Sequence, residues 1–234
     1  MKKLITFLFV LLLLHGCASG QRLVDKSYVV KDTGAKISGS IAILPAKEVP
    51  AMAGLADMVE NELDKGLRKT FPGVRVVDVD KFKAAMLEKD IENEFGQWKS
   101  TYDSTKIISS KPLKSFSNAS DSRFFILIPA IYLSREPINI HETGFSGFYQ
   151  DGQAFWRTDL KILVEVLDTE KEQIIWKGVG YTQHIHSPTR YNAVLVIWDE
   201  RNPEVQEYVA PMIKTAVDSI VANIAGIKQS AQKH

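Results

Sequence analysis

Phe124 to Leu133 reads F-F-I-L-I-P-A-I-Y-L, the most apolar segment of the chain beyond its N-terminal leader. A run of this composition reads as a strand at the centre of a sheet, because only a buried strand can use apolar side chains on both of its faces. Pro129 interrupts it. Proline has no N–H to give to a ladder, so a bulge or a free edge is expected on that half of the strand. The rest of the chain has to supply the strands beside this one and the layers that cover it.

The preceding sequence supplies two strands and the helices between them. Ser40-Ile41-Ala42-Ile43-Leu44 is a short apolar run closed by Pro45, which reads as a buried strand. After Pro50, the residues Met52, Leu55, Met58, Val59, Leu63 and Leu67 recur at spacings of three and four, the signature of one apolar helical face. Asp57, Glu60, Asp64 and Lys65 fill the polar remainder. Pro72-Gly73 stops that helix. Val74 to Val77 is a second short strand, and Asp78 or Asp80 is placed to cap a following helix that turns Phe82, Met86 and Leu87 inward. Glu92, Phe95, Trp98 and Tyr102 suggest further helix. The serine-, lysine- and asparagine-rich stretch 109–122 reads as loop.

Beyond the central strand the pattern becomes antiparallel. Asp151-Gly152 is a hairpin signal between Phe148-Tyr149 and Phe155-Trp156. Leu160, Ile162, Val164 and Val166 alternate with Lys161, Leu163, Glu165 and Leu167. Asp168 to Glu172 is a polar turn, and Ile174 to Gln183 is another strand. Asn202-Pro203-Glu204 opens a last helix, running to about residue 230, with an apolar stripe from Val205 to Ile227. The expected class is α/β: a mixed β-sheet packed by helices, ending in a long C-terminal helix. Helical first connections favour parallel pairing, and the later hairpins favour antiparallel pairing.

The N-terminus carries a different signal. Lys2 and Lys3 precede an 11-residue apolar run, Leu4 to Leu14, followed by Leu14-His15-Gly16-Cys17. That run covers about half of a ~30 Å hydrocarbon core, so it reads as a signal-peptide h-region rather than a span. The residues Leu14-x-Gly16-Cys17 resemble the bacterial lipobox, with His15 a departure from its usual small residue. The resemblance implies cleavage after residue 16, lipidation of Cys17 with two or three acyl chains and lasting attachment to the bilayer. Ala18 in place of an aspartate points to the outer membrane, facing the periplasm. Cys17 is the only cysteine, so lipidation leaves no thiol for a disulfide, a metal or catalysis. The expected organisation is a signal peptide at 1–16, a tether at 17–38 that could also supply an edge strand at Tyr28-Val29-Val30, and one α/β domain at 39–230.

Composition excludes little else. Hydrophobic residues are 45% and charged residues 24% of the chain, and a net charge of +1 offers no electrostatic case for nucleic acid. There is no H-E-x-x-H, P-loop, G-x-S-x-G or G-x-G-x-x-G, and no cofactor is expected. Ser146 in G-F-S-G-F lacks the strand-to-helix setting of a nucleophile elbow. Glu142, Asp151, Asp159 and Asp168 form no recognisable catalytic pair and suit turns or surface. His184 and His186 fall on one side of a strand and would hold a metal only with a third ligand such as His141 or Glu142; strand-end polar residues are the simpler reading, and no metal is expected.

Aromatic residues form two clusters: Phe145, Phe148, Tyr149, Phe155 and Trp156 around the hairpin, and Tyr191 to Trp198 before the last helix. They suit either core packing or a contact surface. As a contact surface, Phe145, Phe148, Tyr149, Trp156, Tyr191 and Trp198 are the partner-binding candidates.

The order I-A-I-L-P at 41–45, amphipathic helix, V-R-V-V-D at 74–78, the strand at 124–133, L-K-I-L-V-E-V-L-D at 160–168 and I-I-W-K-G at 174–178 resembles the fold shared by the TolB amino-terminal domain and the lipoproteins CsgG and LpoB. It covers about residues 39–185. It implies an α/β sandwich and a non-enzymatic envelope lipoprotein that binds or assembles partners, either another envelope protein or itself. A lipid- or small-molecule-binding lipoprotein with an apolar pocket under the aromatic loops is the alternative, and an enzyme is the third reading.

Overall fold

A computed structural model describes residues 22–47, 54–138, 155–186 and 203–226. Seven strands form one mixed sheet: β1 (Arg22–Asp25), β2 (Tyr28–Asp32), β3 (Ser40–Ile43), β4 (Arg75–Val77), β5 (Phe124–Ile138), β6 (Phe155–Asp168) and β7 (Gln173–His186). Their order is β1-β7-β6-β5-β3-β4, with β2 also on β7. The β3 strand pairs in parallel with β4 and β5, whereas β5, β6, β7, β1 and β2 pair antiparallel. The described helices are α1 (Leu55–Thr70), α2 (Val79–Glu88), α3 (Glu92–Thr105), α4 (Ser110–Ser120) and α5 (Pro203–Ile224). This is the α/β architecture that the alternation of patterns implies.

The two sheet faces carry different layers. On the first face, Leu55, Val59, Leu63 and Leu67 of α1 and Val209, Ile213, Val217 and Ile220 of α5 pack on Ile41, Ile43, Ile126, Ile162, Val164 and Val166. Gly180 permits the close approach of α5: a Cβ there would lie 2.8 Å from the Ala216 carbonyl oxygen. On the second face, Phe82 and Met86 of α2, Trp98 and Tyr102 of α3, and Leu113 and Phe116 of α4 cover Ala42, Leu44, Phe125, Leu127 and Leu167. Ile43, Ile126 and Val164 have no solvent exposure. No described helix is long and apolar enough to cross a membrane.

Pro129 has the expected effect: the register of β5 on β6 shifts between Leu127 and Ala130. Asp78 is the cap of α2, its carboxylate accepting the Lys81 N–H at 2.9 Å. Three expectations need correction. Residues 110–120 are helical rather than loop, because Leu113 and Phe116, three apart, bury one face of α4 that offsets its poor composition. Leu87 points to water at 64% exposure, since Phe82 and Met86 already fill the inward face of α2. Glu60 is buried rather than on the polar side of α1, and accepts the Ala46 N–H at 2.6 Å. Residues 22–32 pair with the sheet, the edge strand at Tyr28-Val29-Val30 among them: β1 and β2 follow one register along β7 from Arg22↔Ile185 to Val29↔Gly178.

Two stability measurements follow. Ile126→Asp would place an unpaired carboxylate among Ile43, Val166 and the layer of α1 and α5, costing several kcal/mol; a soluble variant with an unchanged melting temperature would contradict the core described above. Burial raises the Glu60 pKa above its ordinary value of 4.5, against the opposing Ala46 hydrogen bond. The stability linked to this group is therefore present below the unfolded value and is lost as pH rises through the raised folded value. Glu60→Gln keeps an acceptor for Ala46 without the charge. Its melting temperature relative to the parent should rise from acid to neutral pH, and an advantage that shrinks toward neutrality would refute the desolvation argument.

Candidate functional site

The second sheet face is only half covered. Helices α2, α3 and α4 lie over β3, β4 and the adjoining parts of β5 and β6. Where that cover ends, the alternation of β6 and β7 would leave charged residues against apolar helices. A buried network resolves this. Glu165, 2% exposed, accepts the Tyr102 hydroxyl at 2.5 Å from α3 and the Lys177 ammonium at 2.6 Å from β7. Trp98 stacks on Tyr102, with ring centroids 5.6 Å apart. Burial, then the adjacent Glu165 carboxylate, pushes the Tyr102 hydroxyl far above its usual range, so it remains a donor.

Beyond this border the face is bare among the described residues. Tyr132 of β5, Lys161 of β6 and Tyr181 of β7 stand in one cross-strand row. Tyr132 is 58% exposed and Lys161 is exposed. Two ammonium groups approach the Tyr181 ring, Lys161 at 5.4 Å and Lys26 at 5.8 Å from its centroid. Neither lysine has a carboxylate partner among the described residues. The nearby carboxylate is already engaged: Asp159 accepts the Tyr181 hydroxyl at 2.5 Å, Gln183 at 3.1 Å and Arg157 at 3.0 Å. Partial burial and the Asp159 hydrogen bond push the Tyr181 hydroxyl up to about 12. Arg157 also pairs with Glu136.

This surface is built from aromatic rings, ammonium groups and engaged carboxylates. Its carboxylates are tied into ion pairs, and the Tyr181 hydroxyl is held protonated. It offers aromatic area with two cations that have no carboxylate partner among the described residues, on the support of a sheet. Sequence reading missed it because Tyr132, Lys161 and Tyr181 lie far apart in the chain and gain meaning only through their shared register. The one available signal was Lys161 and Tyr181 at outward positions of alternating strands.

A second feature is a half-open cleft of about 480 Å³ at the carboxyl end of β3, between Pro45–Lys47 and α3. Lys99 and Asp103 form a 2.8 Å ion pair in its wall, and Ser100 and Ser104 complete the polar side. The remaining carboxylates of note are structural. Asp168, nearly unexposed, pairs with Arg123 at 3.0 Å and accepts the Glu170 N–H at 3.1 Å, closing the β6–β7 turn.

Cys17, Phe145, Phe148, Tyr149, Tyr191 and Trp198 lie outside the described residues, as do His141, Glu142, Ser146 and Asp151. Trp156 lies on β6, in register with Pro137 and His186. Connectivity still groups these segments: β5 ends, β6 begins and β7 ends at one end of the sheet, where Arg22 pairs with Ile185. The two aromatic segments and the N-terminal segment therefore all leave from that end. His184 is buried in a row with Thr158 and Arg135, on the face that α5 covers, and burial lowers its pKa. Among the described residues no group of three or more His, Cys, Asp or Glu is placed to hold a metal ion.

No protein-family model matches the chain, and no curated protein matches it. Solved structures with a similar chain path include the PelC dodecamer from Paraburkholderia phytofirmans, 10% identical over 88% of this chain and all of that one, with a TM-score of 0.41. The hypothetical protein CT253 from Chlamydia trachomatis is 11% identical over 82% of this chain and 98% of that one, with a TM-score of 0.43.

Proposed function

We propose that this chain is a lipoprotein attached through acylated Cys17 to the periplasmic leaflet of the outer membrane, where it acts without catalysis to bind or assemble an envelope protein. The observation that carries the binding half of this reading is the sheet face left bare among the described residues. Small-molecule sites are concave and enclose their ligands, whereas the row Tyr132, Lys161, Tyr181 is flat and open and suits a macromolecular surface. Tyrosine is among the residues enriched at the centres of such contacts. The anchoring half rests on the leader and on Leu14-x-Gly16-Cys17. The likeness of element order to the TolB amino-terminal domain, CsgG and LpoB supports the same reading from the sequence side. The second reading, a small-molecule-binding lipoprotein, has two clefts to draw on: the one beside α3 with Lys99 and Asp103 in its wall, and a more apolar one of about 340 Å³ lined by Phe82, Met86, Leu87 and Phe95.

Anchoring and binding are separable. Cys17→Ala should abolish acyl labelling and move the protein from the membrane fraction to the soluble periplasm; continued sedimentation after a high-salt wash would show that Cys17 is not the principal anchor. Tyr132→Ala removes an exposed ring with no core role, so its melting temperature should match the parent. Truncation of a contact centre costs about 2 kcal/mol or more of association, and the yield of crosslinked envelope partners should fall accordingly. An unchanged set of partners at unchanged yield would leave the bare face without a binding role.

A further inference from the structure

Residues 22–32 form the outer edge of the sheet, and this edge is unusual in being both apolar and sealed. Tyr28 is 54% and Val30 57% exposed, and Leu23 and Val29 are also exposed. An exposed apolar edge ordinarily invites another strand. Here the ladder is blocked. The Lys26 N–H bonds inward to the Tyr181 carbonyl, so alternation turns the next N–H, that of Ser27, outward. The Asp25 carboxylate takes that N–H at 2.9 Å and the Ser27 hydroxyl at 2.6 Å. Three residues on, Val30 sits in a register shift between Val29 and Lys31. Strand addition is thus opposed at the middle of the edge and again near its end, while the apolar side chains remain in water.

The charges on this edge are one-sided. Arg22, Lys26, Lys31 and Lys36 fall within fifteen residues, against Asp25 and Asp32. Both carboxylates are engaged locally, Asp25 with Ser27 and Asp32 with the Gly34 N–H at 2.7 Å. Only five residue steps separate Cys17 from Arg22, at most about 18 Å of extended chain. With Cys17 in the bilayer, this edge cannot be far from the headgroups. Tyrosine, short aliphatic side chains and lysines that extend their ammonium groups form the composition that a headgroup layer accepts.

We infer that the β1–β2 edge lies flat on the phospholipid surface, so that the domain is held against the membrane by its sheet edge as well as by its lipid. This rests on the lipid-anchor reading given above. It makes Tyr28, Val29 and Val30 membrane contacts, and it turns the bare Tyr132–Lys161–Tyr181 face sideways, open to a partner at the membrane surface.

The alternative pose, with the domain standing on the end from which the N-terminus leaves, is distinguishable because Leu23 and Val30 lie seven residues apart on the strand, about 24 Å. The lipidated full chain would carry a single introduced thiol, Leu23→Cys, Val30→Cys or, as the distant control on α2, Leu87→Cys. Each would be labelled with a fluorophore and placed in phosphatidylethanolamine–phosphatidylglycerol vesicles containing a headgroup nitroxide quencher. All three positions are exposed, so folding should be kept, and a melting curve checks it. Labels at 23 and 30 should be quenched alike and severalfold more than the label at 87. Quenching at 23 but not at 30 would show the standing pose and overturn the inference, as would quenching at neither. Disulfide crosslinks between two Val30→Cys chains would assign the edge to a second copy and also overturn it. A protein that fails to float with the vesicles before any label is read would defeat the anchor reading itself, and the inference with it.

Discussion

Ile41, Ala42, Ile43 and Leu44 have no solvent exposure, and neither have Phe125, Ile126, Leu127 and Ile128. Two adjacent strands buried on both faces require an apolar layer on each side. The first layer is built from the long α1 and α5, which run across most of the sheet. The second is built from the three shorter helices between β4 and β5, where Phe82, Phe95, Trp98 and Phe116 meet edge to face, Tyr102 stacks on Trp98, and Phe82 packs its ring edge to face with Phe125. Those helices reach only as far as the parallel half of the sheet and its border with β6.

The asymmetry of the molecule follows from that shortfall. Among the described residues the second face of β5, β6 and β7 has no helical cover beyond the row Ala130–Leu163–Val179, and the next rows outward are polar or aromatic: Tyr132, Ser134, Lys161, Asp159, Tyr181 and Gln183. Glu165 marks the line between the two regimes. It is charged because it lies on the alternating polar positions of β6, yet it lies beneath α3, and it is tolerated there because Tyr102 and Lys177 satisfy it. Breaking that trio by removing one partner would leave a charge or a hydroxyl stranded at the seam between covered and open sheet.

The same sheet organises the proposed function. Antiparallel connection of β5, β6 and β7 places Arg22, Ile138, Phe155 and His186 at one end of the sheet, while the open face lies beside the α2–α4 layer and opposite α1 and α5. A lipid anchor, a binding face and a sealed apolar edge can then act at the same membrane surface without competing for the same residues, apart from Lys26, which sits between edge and face.

Period and composition alone were enough to determine the α/β class, the buried strands at 41–44 and 124–128, the apolar face of α1, the Asp78 cap, the irregularity at Pro129 and the antiparallel second half, because each of these is written in residues close together in the chain. The Leu14-x-Gly16-Cys17 pattern behind the proposed anchor is local in the same way. Residues 110–120 misled because a weakly helical composition was overridden by two buried side chains whose burial depends on distant strands. Glu60 and Leu87 misled because a helical wheel ranks faces by hydrophobicity and cannot know that the Ala46 N–H needs an acceptor or that Phe82 and Met86 suffice. The Tyr132–Lys161–Tyr181 row, the Tyr102–Glu165–Lys177 seam and the sealed edge at Asp25 and Ser27 were decided only in the tertiary structure. Each depends on strand register and on where a helical layer stops, and neither quantity is a property of any one segment of sequence.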